Sequence, residues 1–319
     1  MHIPRRSFLA GLATTCATTQ FLRAASANCP FRVAVINDEI SQDFDHACSV
    51  AAHDFGLEWI ELRGMWKKNL TELGADELAE ARRILARYNL RVTDIASPLF
   101  KVDWPGAPLS KQSERRDQFG SDADFKKQDA LLEHCIELAR TFGTDRIRCF
   151  DFWRLDDVKP FRAAINDKLR QAARRCAKDG LVLLLENEMS CNTATGQEAA
   201  DTLAAIQEKN FMLNWDPGNA ATFPDSEPFP RGYEMLPKRR IGHCHAKSVV
   251  RQPDGKWQWA PVGQGVVDWT GQLRALQRDG YRHAVSLETH WRGAGTPEAS
   301  SRVSMAGLKD ALAKAGTGC

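Results

Sequence analysis

The chain has 319 residues, 43% of them hydrophobic, and its 43 Lys and Arg against 41 Asp and Glu leave a formal net charge of +2. That balance excludes a dedicated nucleic-acid binder, which presents a basic face, and a mean hydropathy of −0.41 excludes a polytopic membrane protein. With 22 Gly and 14 Pro the chain is neither fibrous nor compositionally disordered, and it is long enough for one large domain or two small ones, with a sizeable core.

Taken in chain order, residues 1–27 read as an export signal. Arg5-Arg6 precede Ser7-Phe8-Leu9, an apolar run follows, and Ala25-Ser26-Ala27 is a small-residue cleavage site. The apolar run is too short and Thr-rich to span a bilayer. The paired arginines resemble the twin-arginine export signal, although Pro4 stands where that signal usually has Ser or Thr. The resemblance implies passage through the twin-arginine machinery and a periplasmic or otherwise exported protein of residues 28–319. Nine cysteines, at 16, 29, 48, 135, 149, 176, 191, 244 and 319, form no CxxC and no regular framework, so most are expected to be small core residues.

From residue 31 onward, short apolar runs alternate with amphipathic stretches. Strands are predicted at 31–36, 57–62, 90–95, 146–150, 181–185, 211–215, 241–246 and 283–287. Helices are predicted at 44–55, 75–88, 122–142, 158–179, 196–208, 233–239, 268–279 and 299–315, with a long polar connection over 100–120. Eight strand-then-helix units in one unbroken chain predict parallel pairing and an α/β fold, a single (β/α)8 TIM barrel. A doubly wound open sheet fits the same alternation less well, because no Gly-rich phosphate loop follows the first strand.

In such a barrel the active site lies at the C-terminal strand ends. Glu186, Asp216, His245 and Glu288 each follow an apolar strand of a different unit. Three carboxylates gathered in a partly buried mouth need a counter-charge. One divalent cation would supply it, and three oxygen donors with one imidazole suit Mn²⁺ first, then Mg²⁺, Co²⁺ or Zn²⁺. Read singly, each residue has a plainer account: a carboxylate paired with Arg, turn chemistry ahead of Pro217-Gly218, a core histidine. The joint spacing across four strands carries the metal reading.

Leu-Leu-Leu-Glu-Asn-Glu (183–188), Asn-Trp-Asp-Pro-Gly-Asn (214–219), Gly-His-Cys-His-Ala-Lys-Ser (242–248) and Ser-Leu-Glu-Thr-His (286–290) resemble the motifs of xylose isomerase-like TIM barrels, the sugar phosphate isomerase/epimerase family. The resemblance implies that Glu186, Asp216, His245 and Glu288 are the metal ligands, with Glu186 and Glu288 also the proton-transfer pair on opposite faces of a carbohydrate substrate. Asn192 and Asn219 depart from the Glu and His of ketose 3-epimerases, whereas Arg251 stands where those enzymes keep an Arg. Substrate contacts are expected from Lys101, Asn192, Asn219, Lys247, Arg251 and Trp153, and support of the ligands from Glu188, His243 and His290. The implied function is a metal-dependent isomerase or epimerase acting through an enediolate on an unphosphorylated sugar or polyol. The alternatives are a dehydratase or lyase on a keto-sugar, then a metal-dependent endonuclease or a sugar-binding barrel without catalysis.

Overall fold

A computed structural model describes residues 29–111, 113, 125–224 and 226–319. The export-signal reading of residues 1–27 lies outside them. So do Cys16 and the start of the helix predicted from 122.

Eight parallel strands form the barrel: β1 (Arg32–Val35), β2 (Trp59–Leu62), β3 (Arg91–Ile95), β4 (Arg146–Cys149), β5 (Val182–Glu186), β6 (Phe211–Trp215), β7 (Ile241–Ala246) and β8 (Ala284–Leu287). Their order around the sheet is β1-β8-β7-β6-β5-β4-β3-β2. The ring is nearly closed: between β1 and β2 the ladder is reduced to a single parallel bridge, Ile36 to Glu61. The predicted strands are all present, each within about two residues of its expected ends.

The helices between them are α1 (Phe44–Ser49), α2 (Ala75–Arg87), α3 (Gln128–Phe142), α4 (Arg162–Ala177), α5 (Gly196–Ala205), α6 (Pro217–Ala221), α7 (Trp269–Arg278) and α8 (Pro297–Ala315). Their ends follow local chemistry. Thr195 and Glu198 form a capping box at the start of α5. Thr296 accepts from the Ala299 N–H at the start of α8, and Gly316 ends it in the left-handed region at φ 73°. The helix predicted over 233–239 is only the turn Tyr233–Met235, followed by a 3₁₀ turn at Lys238–Arg240. Pro237 is the reason: it forces Leu236 into an extended conformation at ψ 140°.

Side chains alternate across each strand. Leu183, Leu185, Leu213 and Cys244 pack in the apolar core between strands and helices. Their alternates Arg148, Glu186, Asn214, His243 and His245 are buried on the opposite face, inside the barrel. A buried interior lined with charge and amide must be internally paired to be tolerated, and hydrogen bonds and ion pairs set out below supply most of that pairing, although Glu186 Oε2, Asp216 Oδ2 and Glu288 Oε2 accept no hydrogen bond.

Two hairpins add to the predicted scheme, Gly64–Met65 with Lys68–Asn69 and Ser248–Arg251 with Trp257–Ala260. Six cysteines, including Cys135, Cys149, Cys176 and Cys244, are buried free thiols as expected. Cys29 and Cys319 instead form a disulfide across a sequence separation of 290. A cross-link closing so long a loop removes chain entropy from the unfolded state, typically about 2–4 kcal/mol of stabilisation.

At the bottom of the barrel, His283 lies 3.0 Å from an Arg146 guanidinium nitrogen. Burial, then the charges of Arg146 and Arg32, push its imidazole down to about 4. The folded chain therefore binds fewer protons here than the unfolded chain between about pH 4 and the ordinary histidine range near 6.5. The stability this group contributes is present above that range and is lost as pH falls towards 4. We expect His283→Gln to lose less stability than wild type between pH 7 and pH 5 in urea denaturation. Equal losses in the two proteins would refute this.

Candidate active site

Asp216 ends β6 and begins α6, where its Oδ1 accepts the Asn219 N–H at 2.8 Å; this cap fixes the carboxyl's direction. Pro217 occupies the first helical position, where no N–H is required. Gly218 follows because a Cβ there would lie 2.9 Å from the Lys247 Cβ. The short helix can thus sit against the residue that matters most to Asp216's charge.

The structure brings the four expected ligands together. One donor atom from each of Glu186, Asp216, His245 and Glu288 lies within 4.8 Å of the others, all four residues being buried. His245 Nδ1 is 3.2 Å from Glu186 Oε1, 3.3 Å from Glu288 Oε2 and 3.8 Å from Asp216 Oδ2. On the ring's other side, Nε2 is 3.0 Å from Glu61 Oε1. Against burial, the charges of Glu61, Glu186 and Glu288 raise the imidazole well above the ordinary histidine range, so Nε2–H faces Glu61 and Nδ1–H faces the three carboxylates; a cation bound at Nδ1 would take the place of that proton while Glu61 kept Nε2–H and so set the tautomer.

The counter-charge reasoned from sequence is only part of the balance. Arg148 Nη1 stands 3.0 Å from Glu186 Oε2, Arg63 Nη1 2.7 Å from Glu288 Oε1, and Lys247 Nζ 3.0 Å from Asp216 Oδ2 and 2.5 Å from Glu288 Oε2. Three buried cations thus face three carboxylates. Burial alone would raise the Glu186 carboxyl, but the His245 and Arg148 charges overcome it and hold the group at about 2. Glu288 is likewise held well below the usual range against burial by Lys247, His290 and His245. For Asp216, burial outweighs Lys247 and the carboxyl rises to about 6.

The donor set nevertheless fits a divalent cation. Glu186 Oε1, Glu288 Oε2 and Asp216 Oδ2 converge on His245 Nδ1 at 3.2, 3.3 and 3.8 Å, and the latter two are buried and accept no hydrogen bond, with Lys247 Nζ within ion-pair reach of both. Hard oxygen donors converging beside an imidazole are what such an ion requires.

Above this cluster a pocket is lined by Arg63, Lys101, Arg148, Glu186, Glu188, Glu288 and His290, with Asn69, Pro98 and Phe150 completing its wall. Lys101 and Glu188 face each other in it at 3.5 Å. His290 reaches Glu288 Oε1 at 3.0 Å and packs edge-on against Trp259. Asn219 donates to Glu186 Oε1 at 3.3 Å and accepts from Lys247 Nζ at 3.0 Å, so both belong to the cluster. His243 lies one layer deeper, 3.1 Å from Asp94 and 3.0 Å from Asn214 Oδ1.

Three expected residues stand elsewhere. Asn192 is buried as a brace: it accepts from the Leu155 N–H and donates to the Asp151 carbonyl, with its side chain turned to the loop after β4. Trp153 is fully buried with Phe150 and Cys191 and does not line the pocket. Arg251 is exposed on the second hairpin, beside Trp257. Two residues outside the expected set prove central. Arg63 binds Asp38, Glu39 and Glu288 at once. Arg148 joins Glu186 to the Ala96 and Ser97 carbonyls.

Fold and site together define a parallel α/β barrel with a buried charged cluster and a pocket at its carboxyl end, and comparison with known proteins places the fold in a family. The chain belongs to the xylose isomerase-like TIM barrel family, whose model matches residues 50–311. It is 23% identical over 253 residues to a protein of Escherichia coli (strain K12) provisionally described as L-ribulose-5-phosphate 3-epimerase, covering 76% of this chain and 87% of the relative. A xylose isomerase-like barrel from Mycobacterium smegmatis in complex with magnesium superposes with a TM-score of 0.64 at 16% identity, over 91% of this chain and 99% of that one. D-allulose 3-epimerase from Methylomonas sp. superposes with a TM-score of 0.65 at 16% identity, over 90% and 98%. At these identities the structural likenesses establish the fold.

Proposed function

We propose that this chain is a metal-dependent sugar isomerase or epimerase that works through an enediolate on an unphosphorylated sugar or polyol. The observation that carries the reading is the pair Glu186 and Glu288, which flank His245 Nδ1 at 3.2 and 3.3 Å and both line the pocket. A divalent cation held by Glu186, Asp216, His245 and Glu288 would polarise the substrate carbonyl and offset enediolate charge. One of the two glutamates takes the proton from the carbon beside the carbonyl, and the other returns one. Arg63 and Arg148 hold the outer oxygens of these carboxylates and fix their approach. The likeness to epimerases supports the class, with the particular sugar left to experiment.

The test is a panel of ketoses, inososes and 3-keto-glycosides with added Mn²⁺, followed by NMR in D₂O before and after chelation. We expect deuterium at the carbon next to the carbonyl, and loss of turnover with the metal. Product carrying no carbon-bound deuterium would point to hydride transfer. Equal activity after exhaustive chelation, with no metal recovered, would remove the cation from the scheme. Loss of water from the substrate in the same spectra would identify a dehydratase.

We further propose that the protein is exported by the twin-arginine route and processed near Ala27. The Cys29–Cys319 disulfide supports this, since such bonds persist in oxidising compartments. Replacing Arg5 and Arg6 by Lys keeps the charge but not the guanidinium pair. It is expected to retain the precursor in the cytoplasm, and unchanged export on cell fractionation would count against the proposal.

A further inference from the structure

Deeper in the barrel than Glu186, Asp216, His245 and Glu288, three strands bring a second set of ligating side chains together: Glu61 of β2, Asp94 of β3 and His243 of β7, all fully buried. His243 Nε2 is 3.1 Å from Asp94 Oδ1 and 3.8 Å from Glu61 Oε2. Each residue is held from its other side. His243 Nδ1–H donates to Asn214 Oδ1 at 3.0 Å, Glu61 Oε1 accepts the His245 Nε2–H at 3.0 Å, and Asp94 Oδ1 accepts the Thr93 hydroxyl at 3.0 Å. What remains are Glu61 Oε2, Asp94 Oδ2 and His243 Nε2, each buried and without a hydrogen-bond partner. Nε2 and Asp94 Oδ1 are close but not aligned for a hydrogen bond, so a shared proton does not account for their approach. Buried polar atoms left over in this way call for an explanation.

We infer that Glu61, Asp94 and His243 form a second cation site, separate from the cluster at the mouth, that takes one Zn²⁺ and serves the fold. Zinc held at about 2.0–2.2 Å by imidazole and carboxylate places its ligand atoms roughly 3–3.5 Å from one another. The separations of 3.1 and 3.8 Å need shifts of only a few tenths of an ångström to meet that. An ion asks for converging lone pairs and not for an aligned N–H, which is the geometry at Nε2. The Asn214 carbonyl, by taking Nδ1–H, presents Nε2 as the ligating nitrogen, the usual outer support of a metal-bound histidine. Asp94, with two oxygens, offers a fourth donor and a closed, four-coordinate shell of the structural kind. None of the three residues lines the pocket. His245 stands between the two sites with Nδ1 toward the mouth and Nε2–H on Glu61 Oε1, so the sites touch without sharing a ligand. The ion would tie β2 and β3 to β7 across the barrel and offset two buried carboxylates. This goes beyond the reaction proposed above and does not depend on it.

The test counts metal and needs no turnover. Wild type, His243→Asn, Asp94→Asn and Asp216→Asn are prepared from zinc-supplemented cells and also by refolding from urea with Zn²⁺. Each is washed briefly with EDTA, which strips surface zinc, and then analysed. An ion enclosed in the barrel leaves only when the barrel opens, so wild type is expected to keep about one Zn²⁺ per chain and to release it on unfolding. Asp216→Asn should keep the same amount, because it alters only the mouth. His243→Asn and Asp94→Asn should keep less than about a tenth of it. Refolding with Zn²⁺ in place of EDTA should raise the melting temperature of wild type and of Asp216→Asn, and leave that of His243→Asn where it was. Wild type that keeps no zinc by either route overturns the inference. So does zinc lost from Asp216→Asn and kept in His243→Asn, which would place the ion at the mouth. Should a variant of the deep site fail to fold, equal retention in wild type and Asp216→Asn still locates the ion away from the mouth, and unequal retention still overturns the inference.

Discussion

Glu288→Gln is expected to lower kcat by about three orders of magnitude, the range a positioned general base contributes, while leaving the barrel folded. The substitution keeps the shape of the side chain and removes its charge and basicity. Glu288 meets Arg63, Lys247, His245 and His290, so the amide would leave several partners underused. Arg63 nevertheless keeps Asp38 and Glu39, and Lys247 keeps Asp216 and Asn219. The loss should therefore fall on turnover and much less on the melting temperature. Glu186→Gln should cost a similar factor, and the double variant little more than either alone, because in the proposed scheme the removal and the return of a proton are steps of one turnover and each needs its own glutamate. Steady-state kinetics and thermal denaturation on the same preparations decide it. A Glu288→Gln enzyme keeping a tenth of wild-type turnover would remove Glu288 from the chemistry.

Arg63→Met, by contrast, should act first on stability. The guanidinium is buried and holds Asp38 Oδ1 at 2.9 Å, Glu39 Oε1 at 2.7 Å and Glu288 Oε1 at 2.7 Å, carboxylates that are themselves buried. Removing one member of a buried ionic cluster leaves uncompensated charge, typically a loss of about 3–5 kcal/mol. Part of it should return in Arg63→Met/Asp38→Asn, because the second change removes one stranded carboxylate. Burial already pushes Asp38 upward even with Arg63 beside it, which makes it the group with most to lose. Urea denaturation of the two variants and wild type gives the comparison. A loss below about 1 kcal/mol, the value of an exposed ion pair, would show that the cluster is solvated.

How far the sequence could be read follows from which forces are local. The strands were legible because the outward residues of each, such as Leu183 and Leu185, carry the apolar signal that packs beneath the helices. The four-residue cluster was legible because each member stands at or just beyond the carboxyl end of such a strand. Arg148 was not, since it lies within β4, where the expectation of an apolar barrel interior hides an inward-facing guanidinium. The role of Arg63 depends on contacts 24 to 225 residues away in sequence. Asn192 was assigned to the substrate by its position six residues after Glu186, whereas the path of its loop turns it to backbone groups instead.

The two hairpins make the same contrast. Pro253-Asp254-Gly255 is a turn signal between β-prone runs, and Gly255 takes φ 83° there, so the second hairpin has a local cause in the sequence. The first turns on Trp66 and Lys67 at φ 53° and 64°, residues that give no such warning. Cys29 and Cys319 meet only because the barrel returns its eighth strand to its first.

Where β1 and β2 meet, the hoop of strands hangs on one backbone bridge, and side chains complete the joint. Asn37 reaches across to the Gly64 carbonyl and the Arg63 N–H, and Arg63 grips Asp38 and Glu39 on the far side. That same guanidinium steadies Glu288. The latch of the ring and the holder of the proposed proton-transfer group are thus one residue, so loosening at this joint would be expected to reach the Glu288 carboxylate as well. A substitution that loosens the closure of the barrel at Arg63 therefore also alters how Glu288 is held, and neither contact can be changed at this residue alone.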